Sequence, residues 1–108
     1  MTITIDDFMK AEFRVAEVKE VLDHPNASKL YLLKVDAGGG EIRQLVAGLK
    51  PYIPREKLLG KKIVIVANLE PAQLRGETSQ GMLLAAQDGD HVTVLVPDED
   101  VPPGSVVR

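Results

Sequence analysis

Two short apolar runs, at residues 63–67 and 82–86, flank a polar stretch at residues 68–81. Each run is about five residues long, which suits a buried β-strand and falls far short of the ~20 residues of a membrane helix. The polar stretch offers Asn, Gln, Arg, Thr and Ser, but no evident pair of nucleophile and base. Long connections between strands often carry function. We therefore expect a β-rich fold with a long polar loop that forms a contact surface rather than a reaction centre.

Length and composition narrow the class of protein further. A chain of 108 residues is expected to form a single domain, residues 1–108. The absence of cysteine excludes a disulfide scaffold and thiolate metal ligands, and it fits a reducing compartment. The first residues show neither the basic leader nor the apolar segment of a signal peptide. The expected location is the cytoplasm, with no membrane partner.

The rest of the chain predicts further strands around one short helix. Mostly odd-numbered apolar positions in residues 13–21 are typical of a strand with one wet face. Gly38-Gly39-Gly40 predicts a hairpin connection, because glycine accepts the positive φ that such turns need. Pro54 is expected to begin a helix that ends at Gly60. The segments predicted as strands are residues 13–21, 29–36, 41–47, 62–69, 81–86 and 91–96.

This order of elements predicts the fold class. Five strands with one short helix between the third and the fourth is the plan of the five-stranded OB-fold barrel. We therefore expect an all-β OB barrel with extensions at its N and C termini. An SH3-like barrel or a small sandwich shares much of the strand pattern, and the placed helix favours the OB fold.

Charge is distributed unevenly along the chain, although the net charge is only −3. Residues 29–75 hold nine Lys and Arg against four Asp and Glu, whereas both ends of the chain are acidic. Such a distribution can bring a polyanion to one face of the protein. The alternative is that the lysines solvate strand edges and turns.

A set of short motifs in the chain resembles one known family. The motifs are Asp6-Asp7-Phe8, Phe13-Arg14-Val15-Ala16, Lys29-Leu30-Tyr31, Val46-Ala47-Gly48-Leu49, Gly60-Lys61-Lys62, Asn68-Leu69-x-Pro71, Arg75-Gly76 and Ser79-Gln80-Gly81-Met82. In this order they resemble the tRNA-binding domain found at the C terminus of bacterial methionyl-tRNA synthetases and in free-standing, structure-specific tRNA-binding proteins. Secretion chaperone-like proteins are more distantly similar. The resemblance extends from about Ile5 to Val107.

The resemblance implies a function without catalysis. Members of the family are OB barrels whose extensions pair two subunits, and they bind tRNA by its shape. The implied partners are tRNA, a second copy of the chain and the catalytic part of methionyl-tRNA synthetase, with no cofactor and no metal. The positions that match the family's contact residues are Lys29, Asn68, Arg75, Ser79, Gln80 and Met82.

The chemistry of these side chains fits RNA, with a structural alternative for most of them. The Asn68 amide can bond a ribose or phosphate oxygen, or can hold the long connection in place. Arg75 suits a bidentate phosphate contact, or is a solvated surface cation. Ser79 can donate to a phosphate or cap a turn. Met82 can pack on a sugar or base, although a core position is commoner for methionine.

Two further lysines complete the candidate set. Lys34 and Lys61 can supply charge to phosphates and release counterions. Lys61 and Lys62 are adjacent at the start of a predicted strand, so they are expected to face opposite sides, with only one at a given contact. The chain has only four aromatic residues, which disfavours a track for single strands and favours recognition of folded RNA by backbone and shape.

Two other functional classes remain as alternatives. A chaperone-like module that binds peptides in an apolar groove would also fit the net acidity and the more distant resemblance. A small hydrolase has only Ser79 and the histidines in its favour. The sequence around Ser79 has Glu77 where a G-x-S-x-G nucleophile motif needs glycine. His24 and His91 show no metal-ligand spacing to each other.

Overall fold

The computed structural model describes all 108 residues. It contains two short helices and ten strands, six of which form a curled antiparallel sheet. In chain order the elements are α1 (Ile5–Met9), β1 (Phe13–Asp23), β2 (Tyr31–Asp36), β3 (Ile42–Ala47), α2 (Arg55–Leu58), β4 (Lys62–Val66), β5 (Ala72–Leu74), β6 (Glu77–Ser79), β7 (Met82–Leu83), β8 (Ala85–Asp88), β9 (His91–Val94) and β10 (Val106–Val107). The predicted all-β fold, with its helix between the third and fourth long strands, is confirmed.

The long strand β1 belongs to both sides of the barrel. Its first half pairs with β4, where Glu17 lies opposite Lys62, and its second half pairs with β2. The register shifts between Val18 and Glu20, which marks a β-bulge, and a bulge bends its strand. The predicted odd-position pattern is therefore wrong. The side chains that join the core are Ala16 and Val18 before the bulge and Val21 after it.

The core fills the space inside this curled sheet. Leu33, Leu45, Ile63 and Ile65 point inward from three strands and have no exposed surface. Leu58 of α2 is equally buried, so the short helix covers one end of the barrel with a single apolar side chain. Burying a side chain of this size contributes roughly 1.5–3 kcal/mol. The core therefore explains why so short a helix has a fixed position.

The three-glycine connection between β2 and β3 is a hairpin turn, as predicted. All three glycines have positive φ, which most other residues rarely adopt. At Gly38 there is a second requirement, because a Cβ atom there would lie 2.7 Å from the Cα of Gly104. The backbone N–H of Gly104 donates to Val15 at 2.7 Å. The C-terminal tail thus runs directly against the barrel.

Residues 68–82 are more ordered than the predicted long loop. They form the hairpin β5–β6, in which Gln73 lies opposite Thr78. Its two-residue turn is Arg75-Gly76, with φ of 55° and 89°, and Arg75 is the one non-glycine residue with positive φ in the chain. Positive φ at both positions defines the type I′ turn that suits the twist of a two-stranded hairpin. The prediction of one long loop between the two apolar strands is therefore wrong.

The remaining strands are shorter than predicted. β4 ends at Val66 rather than at residue 69, and the segment 81–86 divides into β7 and the start of β8. β8 pairs with β9 as a separate hairpin. β10 pairs with the start of β1, opposite Phe13 and Arg14, and thus fixes the C-terminal extension beside the N-terminal one.

Candidate nucleic-acid interface

The β5–β6 hairpin is attached to the open edge of β3. The backbone N–H of Gln80 donates to the carbonyl of Gln44 at 2.7 Å, and the side-chain oxygen of Gln80 accepts from the N–H of Gln44 at 3.0 Å. The Ser79 hydroxyl accepts from the N–H of Val46 at 3.0 Å and donates to the carbonyl of Gly81 at 2.9 Å. Ser79 is only 4% exposed. The Ser79 hydroxyl therefore helps to close the barrel and is not free at the surface to bind a ligand.

His24 attaches the tip of the same hairpin to the connection between β1 and β2. Its Nδ1 accepts from the backbone N–H of Asn26 at 2.9 Å, so Nε2 carries the proton and donates to the carbonyl of Leu74 at 2.9 Å. The Asn26 amide also donates to the carbonyl of Arg75 at 3.2 Å. The ring is 5% exposed. This residue was not predicted as part of the site; its only sequence signal is its place beside a polar hairpin that the sequence did not reveal.

These contacts bring two predicted RNA-binding residues together. Lys29 and Arg75 line one shallow depression, which we call the tip groove, together with Ala27, Ser28 and Leu30. Both cationic side chains are on exposed residues, and neither forms an ion pair with an acidic group. The tip groove thus presents two unpaired positive charges on a fixed backbone.

A polar seam lies along the outer face of β3. The Lys34 ammonium donates to the side-chain oxygen of Gln44, and the Gln44 amide donates to the carbonyl of Thr78 at 2.9 Å and to the Glu77 carboxylate at 3.3 Å. Gln80 is bonded to the backbone of Gln44, as described above. The structure therefore brings Lys34 and Gln80 together through one glutamine. The Gln80 amide nitrogen has no protein partner and is available to a ligand.

Asn68 and Met82 have contrasting surroundings. The Asn68 oxygen accepts from the N–H of Glu12 at 2.7 Å, and its amide nitrogen donates to the carbonyl of Lys10 at 2.6 Å. The side chain thus attaches the N-terminal extension, rather than the long connection, to the end of β4. Met82 is 52% exposed, so the commoner core position does not apply to it.

Lys61 lies apart from this group. Lys61 precedes β4 and Asn68 follows it. The seven residue steps between them, in extended conformation, separate the two residues by roughly 23 Å. The exposed Lys61 side chain lines a different depression, beside α2 and β9. The predicted site residues therefore lie in three places. Near the hairpin are Lys29, Lys34, Arg75, Ser79 and Gln80, at the end of β4 are Asn68 and Met82, and Lys61 lies elsewhere.

Ion pairs reduce the charge that the basic middle of the chain presents to solvent. Asp23 accepts from Lys50 at 3.1 Å and from Arg55 at 2.9 Å. The hydrogen bond from Lys50 is the main cause of the lowered pKa of Asp23, and the nearby charge of Arg55 adds to it. This carboxylate therefore stays ionised at neutral pH and offsets one of the two cations.

The pattern of ion pairing separates two classes of cation. Seven of the thirteen Lys and Arg residues pair with an acidic side chain. The six that do not are Lys29, Lys34, Lys57, Lys61, Arg75 and Arg108. A phosphate that approaches an unpaired cation displaces only water and counterions. The unpaired group includes all four cations that the sequence analysis selected.

Arg43 is a second residue that the sequence analysis missed. Its guanidinium donates to the carbonyl of Ala67 and also lies 3.4 Å from the carbonyl of Gln80. It pairs with Glu41 as well. Its role is to hold the end of β4 and the base of the hairpin together, and no local motif marks it because its partners are distant in sequence.

An apolar surface lies on the two terminal extensions. Ile3, Ile5, Phe8 and Met9 are 42–73% exposed, and Val106 is 64% exposed. Phe8 stacks on Phe13 with ring centroids 5.5 Å apart. A groove lined by residues 8–13, Asn68 and residues 106–108 runs through this surface. We call it the terminal face.

No helix of the structure is long and apolar enough to cross a membrane. No group of three or more His, Cys, Asp or Glu residues is placed to hold a metal ion. The polar groups near the hairpin are suited to hydrogen bonding and charge pairing with a ligand.

The fold and this surface define the chain as an OB-fold barrel, a class whose members bind oligonucleotides and oligosaccharides. Comparison with known proteins narrows the class. The family model described as "Putative tRNA binding domain" matches residues 13–106. The chain belongs to this tRNA-binding domain family, which is a binding domain and not a catalytic one.

Relatives and solved structures agree with this membership. A methionine–tRNA ligase from Pyrococcus furiosus is 57% identical in sequence over 98% of the chain. One from Thermotoga maritima is 50% identical over 97% of the chain. The chain spans only 14% and 16% of those two proteins. The crystal structure of a MetRS-related protein from Pyrococcus horikoshii superposes with a TM-score of 0.91 and 38% identity, covering 100% of this chain and 99% of that one. The crystal structure of a CsaA chaperone protein from Picrophilus torridus superposes with a TM-score of 0.90 and 35% sequence identity, covering 99% of this chain and 100% of that one.

Proposed function

We propose that residues 1–108 form one non-catalytic domain that binds folded tRNA by its backbone and shape. The observation that carries the proposal is the tip groove, where Lys29 and Arg75 present unpaired charge beside a rigid hairpin in a member of the tRNA-binding domain family. Phosphate contacts of this kind position a protein on RNA without reading bases. Lys34 and Gln80 extend the contact along the outer face of β3, and Met82 of β7 adds an exposed apolar side chain.

The surroundings of the predicted residues refine their roles in this proposal. Ser79 acts indirectly, since its hydroxyl is buried and holds the hairpin in place. Asn68 also acts indirectly, because both of its polar atoms bond the N-terminal extension. No aromatic side chain lines the tip groove, so contact by phosphate and ribose fits better there than base stacking.

The similarity to methionine–tRNA ligases supports a place beside such an enzyme. Within a synthetase, or as a free factor, the domain would raise the local concentration of tRNA near the catalytic part. A tethered weak site multiplies overall affinity through effective concentration. We expect the domain to bind tRNA in the cytoplasm, where tRNA is aminoacylated.

A homodimer is part of the proposal. The terminal face exposes large apolar side chains from both ends of the chain, and Phe8 and Phe13 extend it into a groove. Contiguous apolar surface of this kind usually marks an interface, and a two-fold dimer is the commonest solution. Two tip grooves on one dimer would double the contacts available to one folded RNA.

The dimer proposal predicts the effect of a charge on the terminal face. Met9→Glu should convert the dimer to a monomer at micromolar concentration, because the carboxylate would be buried at the interface. Light scattering after size exclusion measures the mass directly. Leu59→Glu is the matched control, since Leu59 is 57% exposed and lies outside the terminal face. Equal masses for wild type and Met9→Glu would remove the terminal face from the interface.

Binding of tRNA itself is tested by comparing folded tRNA with an unstructured RNA of equal length across a salt series. We expect preference for the folded RNA and a steep loss of affinity with salt, because phosphate contacts release counterions. Equal affinity for the two RNAs would contradict recognition of shape. Failure to bind either RNA would contradict the proposed function as a whole.

The similarity to a CsaA chaperone protein supports a second candidate, a module that binds peptides. The groove of the terminal face offers the apolar lining that such binding needs. A peptide held by apolar contacts would bind with little dependence on salt, unlike RNA. The same salt series, with an unfolded peptide as ligand, therefore separates the two functions.

A further inference from the structure

The six unpaired cations are not all explained by the tip groove. Lys57 and Lys61 line a cavity of about 220 Å³ between α2 and β9, and His91 lies on the same wall. Tyr52 and Thr93 complete its polar lining, and we call this cavity the helix groove. None of the three basic side chains has an acidic partner or a hydrogen bond within the protein. The helix groove therefore combines unpaired basic groups with an exposed ring.

The two tyrosines of the chain differ in how far their side chains are exposed. The Tyr31 side chain is 4% exposed, and its hydroxyl donates to the carbonyl of Ile53 at 2.8 Å. Tyr52, one residue before Ile53, is 44% exposed, and its hydroxyl has no partner in the protein. A tyrosine with this much exposed surface can offer its ring to a stacking partner.

The acidic groups near the cavity do not close it. Glu56 of α2 and Asp90 of the β8–β9 turn flank it in sequence, and neither is among its lining residues. Asp100 is engaged with Lys62 in the neighbouring depression. An anion that enters the helix groove would meet Lys57 and Lys61 before any carboxylate.

The size and chemistry of the cavity select one kind of occupant. At about 220 Å³ the cavity is smaller than the roughly 300–1,000 Å³ pockets of drug-sized ligands, so it can enclose part of a nucleotide but not a folded peptide. A nucleotide supplies both a base that stacks on an aromatic ring and a phosphate that pairs with lysine. We infer that the helix groove binds one unpaired nucleotide of an RNA strand, with the base on Tyr52 and the phosphate between Lys57 and Lys61.

This inference rests on the proposed RNA-binding function but concerns a separate surface. It also agrees with the scarcity of aromatic residues, because one ring serves one base and no continuous track is needed. A folded RNA held at the tip groove would have an unpaired segment at the second contact. The helix groove would then make affinity depend on that segment as well as on overall shape.

Intrinsic fluorescence gives a direct test, because the chain has no Trp and only Tyr52 of its two tyrosines is exposed. Addition of a four-nucleotide oligoadenylate should quench the tyrosine emission and shift the NMR signals of the His91 ring. Tyr52→Ala should weaken binding about tenfold, as is typical for a stacked base, while Tyr52→Phe should retain it. Lys57→Met combined with Lys61→Met should weaken it further and reduce its dependence on salt.

Three controls separate this inference from the proposed function. Lys19→Met should leave oligoadenylate binding unchanged, because Lys19 is paired with Glu17 and lines neither groove. An abasic oligomer should bind at least tenfold more weakly than oligoadenylate; equal binding would overturn the stacking assignment. Free AMP that bound as tightly as the oligomer would overturn the assignment to an RNA strand. Binding of folded tRNA without any response at Tyr52 would refute the helix groove alone.

Discussion

Replacing Lys29 by Met and Arg75 by Asn together is expected to weaken the binding of folded tRNA on the order of 30-fold. Each substitution removes one unpaired charge from the tip groove. The slope of log affinity against log salt should also fall by about 1.5, which corresponds to two lost phosphate contacts. Filter binding or fluorescence anisotropy across a salt series measures both quantities.

The replacement residues are chosen so that the backbone is preserved. Arg75 has a φ of 55°, and asparagine tolerates that conformation better than other side chains. Asn-Gly is also the favoured sequence of a type I′ turn, so Arg75→Asn keeps the hairpin while it removes the cation. Methionine keeps the apolar stem of Lys29. A loss of affinity therefore reports charge rather than unfolding of the tip.

A matched control removes the same formal charge elsewhere. Lys19 and Lys50 line neither the tip groove nor the terminal face and are already paired with Glu17 and Asp23. The double variant Lys19→Met with Lys50→Met should change tRNA affinity by less than about threefold, since surface pairs contribute little. If this control and the tip-groove variant lost affinity equally, net charge alone would account for binding, and the tip groove would have no specific role.

Gly81→Ala is expected to lower the free energy of unfolding by about 3–4 kcal/mol. A Cβ atom at this position would lie 2.9 Å from the carbonyl oxygen of Val66 and 3.3 Å from the Leu45 side chain. The φ of Gly81 is 139°, a conformation that alanine rarely adopts. Strain and collision therefore act together, and the backbone oxygen cannot move away because it belongs to the central sheet. Urea unfolding followed by circular dichroism measures the loss.

The control Gly89→Ala separates the cost of the backbone conformation from the cost of the collision. Gly89 has a φ of 58°, but a Cβ atom there would have no neighbour within 4 Å. Its replacement should cost only about 1 kcal/mol, the price of the backbone conformation alone. Both variants need the same protomer concentration, because a dimer makes stability depend on concentration. Equal losses at the two positions would contradict the close contact at Gly81.

The sequence predicted the long-range plan of the fold better than its local geometry. Apolar runs and the three-glycine connection indicate where the main strands and their turn lie, because strand burial and turn chemistry leave patterns in consecutive residues. The bulge in β1 was missed, since it depends on how two different strands pair with one. The hairpin at residues 72–79 was also missed, because its turn has Arg rather than Asn or Asp before glycine and its strands are only three residues long.

The candidate site was predictable in part for similar reasons. An exposed cation at a loop tip can be expected from sequence alone, as for Arg75, whereas Lys29 was selected only through the family resemblance, at the start of a predicted strand. Burial cannot be read for a single polar residue, so the internal hydrogen bonds of Ser79 and Asn68 were revealed only by the fold. His24 and Arg43 bond backbone atoms that are distant along the chain, and no spacing rule describes such contacts.

The contact between Gly38 and Gly104 limits how this chain can vary in evolution. A Cβ atom on Gly104 would lie 2.9 Å from the Cα of Gly38, so each residue excludes a side chain on the other. Elsewhere in a protein a larger residue can be accommodated when its neighbour becomes smaller. Here both neighbours are already glycine, and no second substitution can restore the space. The two positions should therefore tolerate no other residue in a library of variants, singly or in any pair.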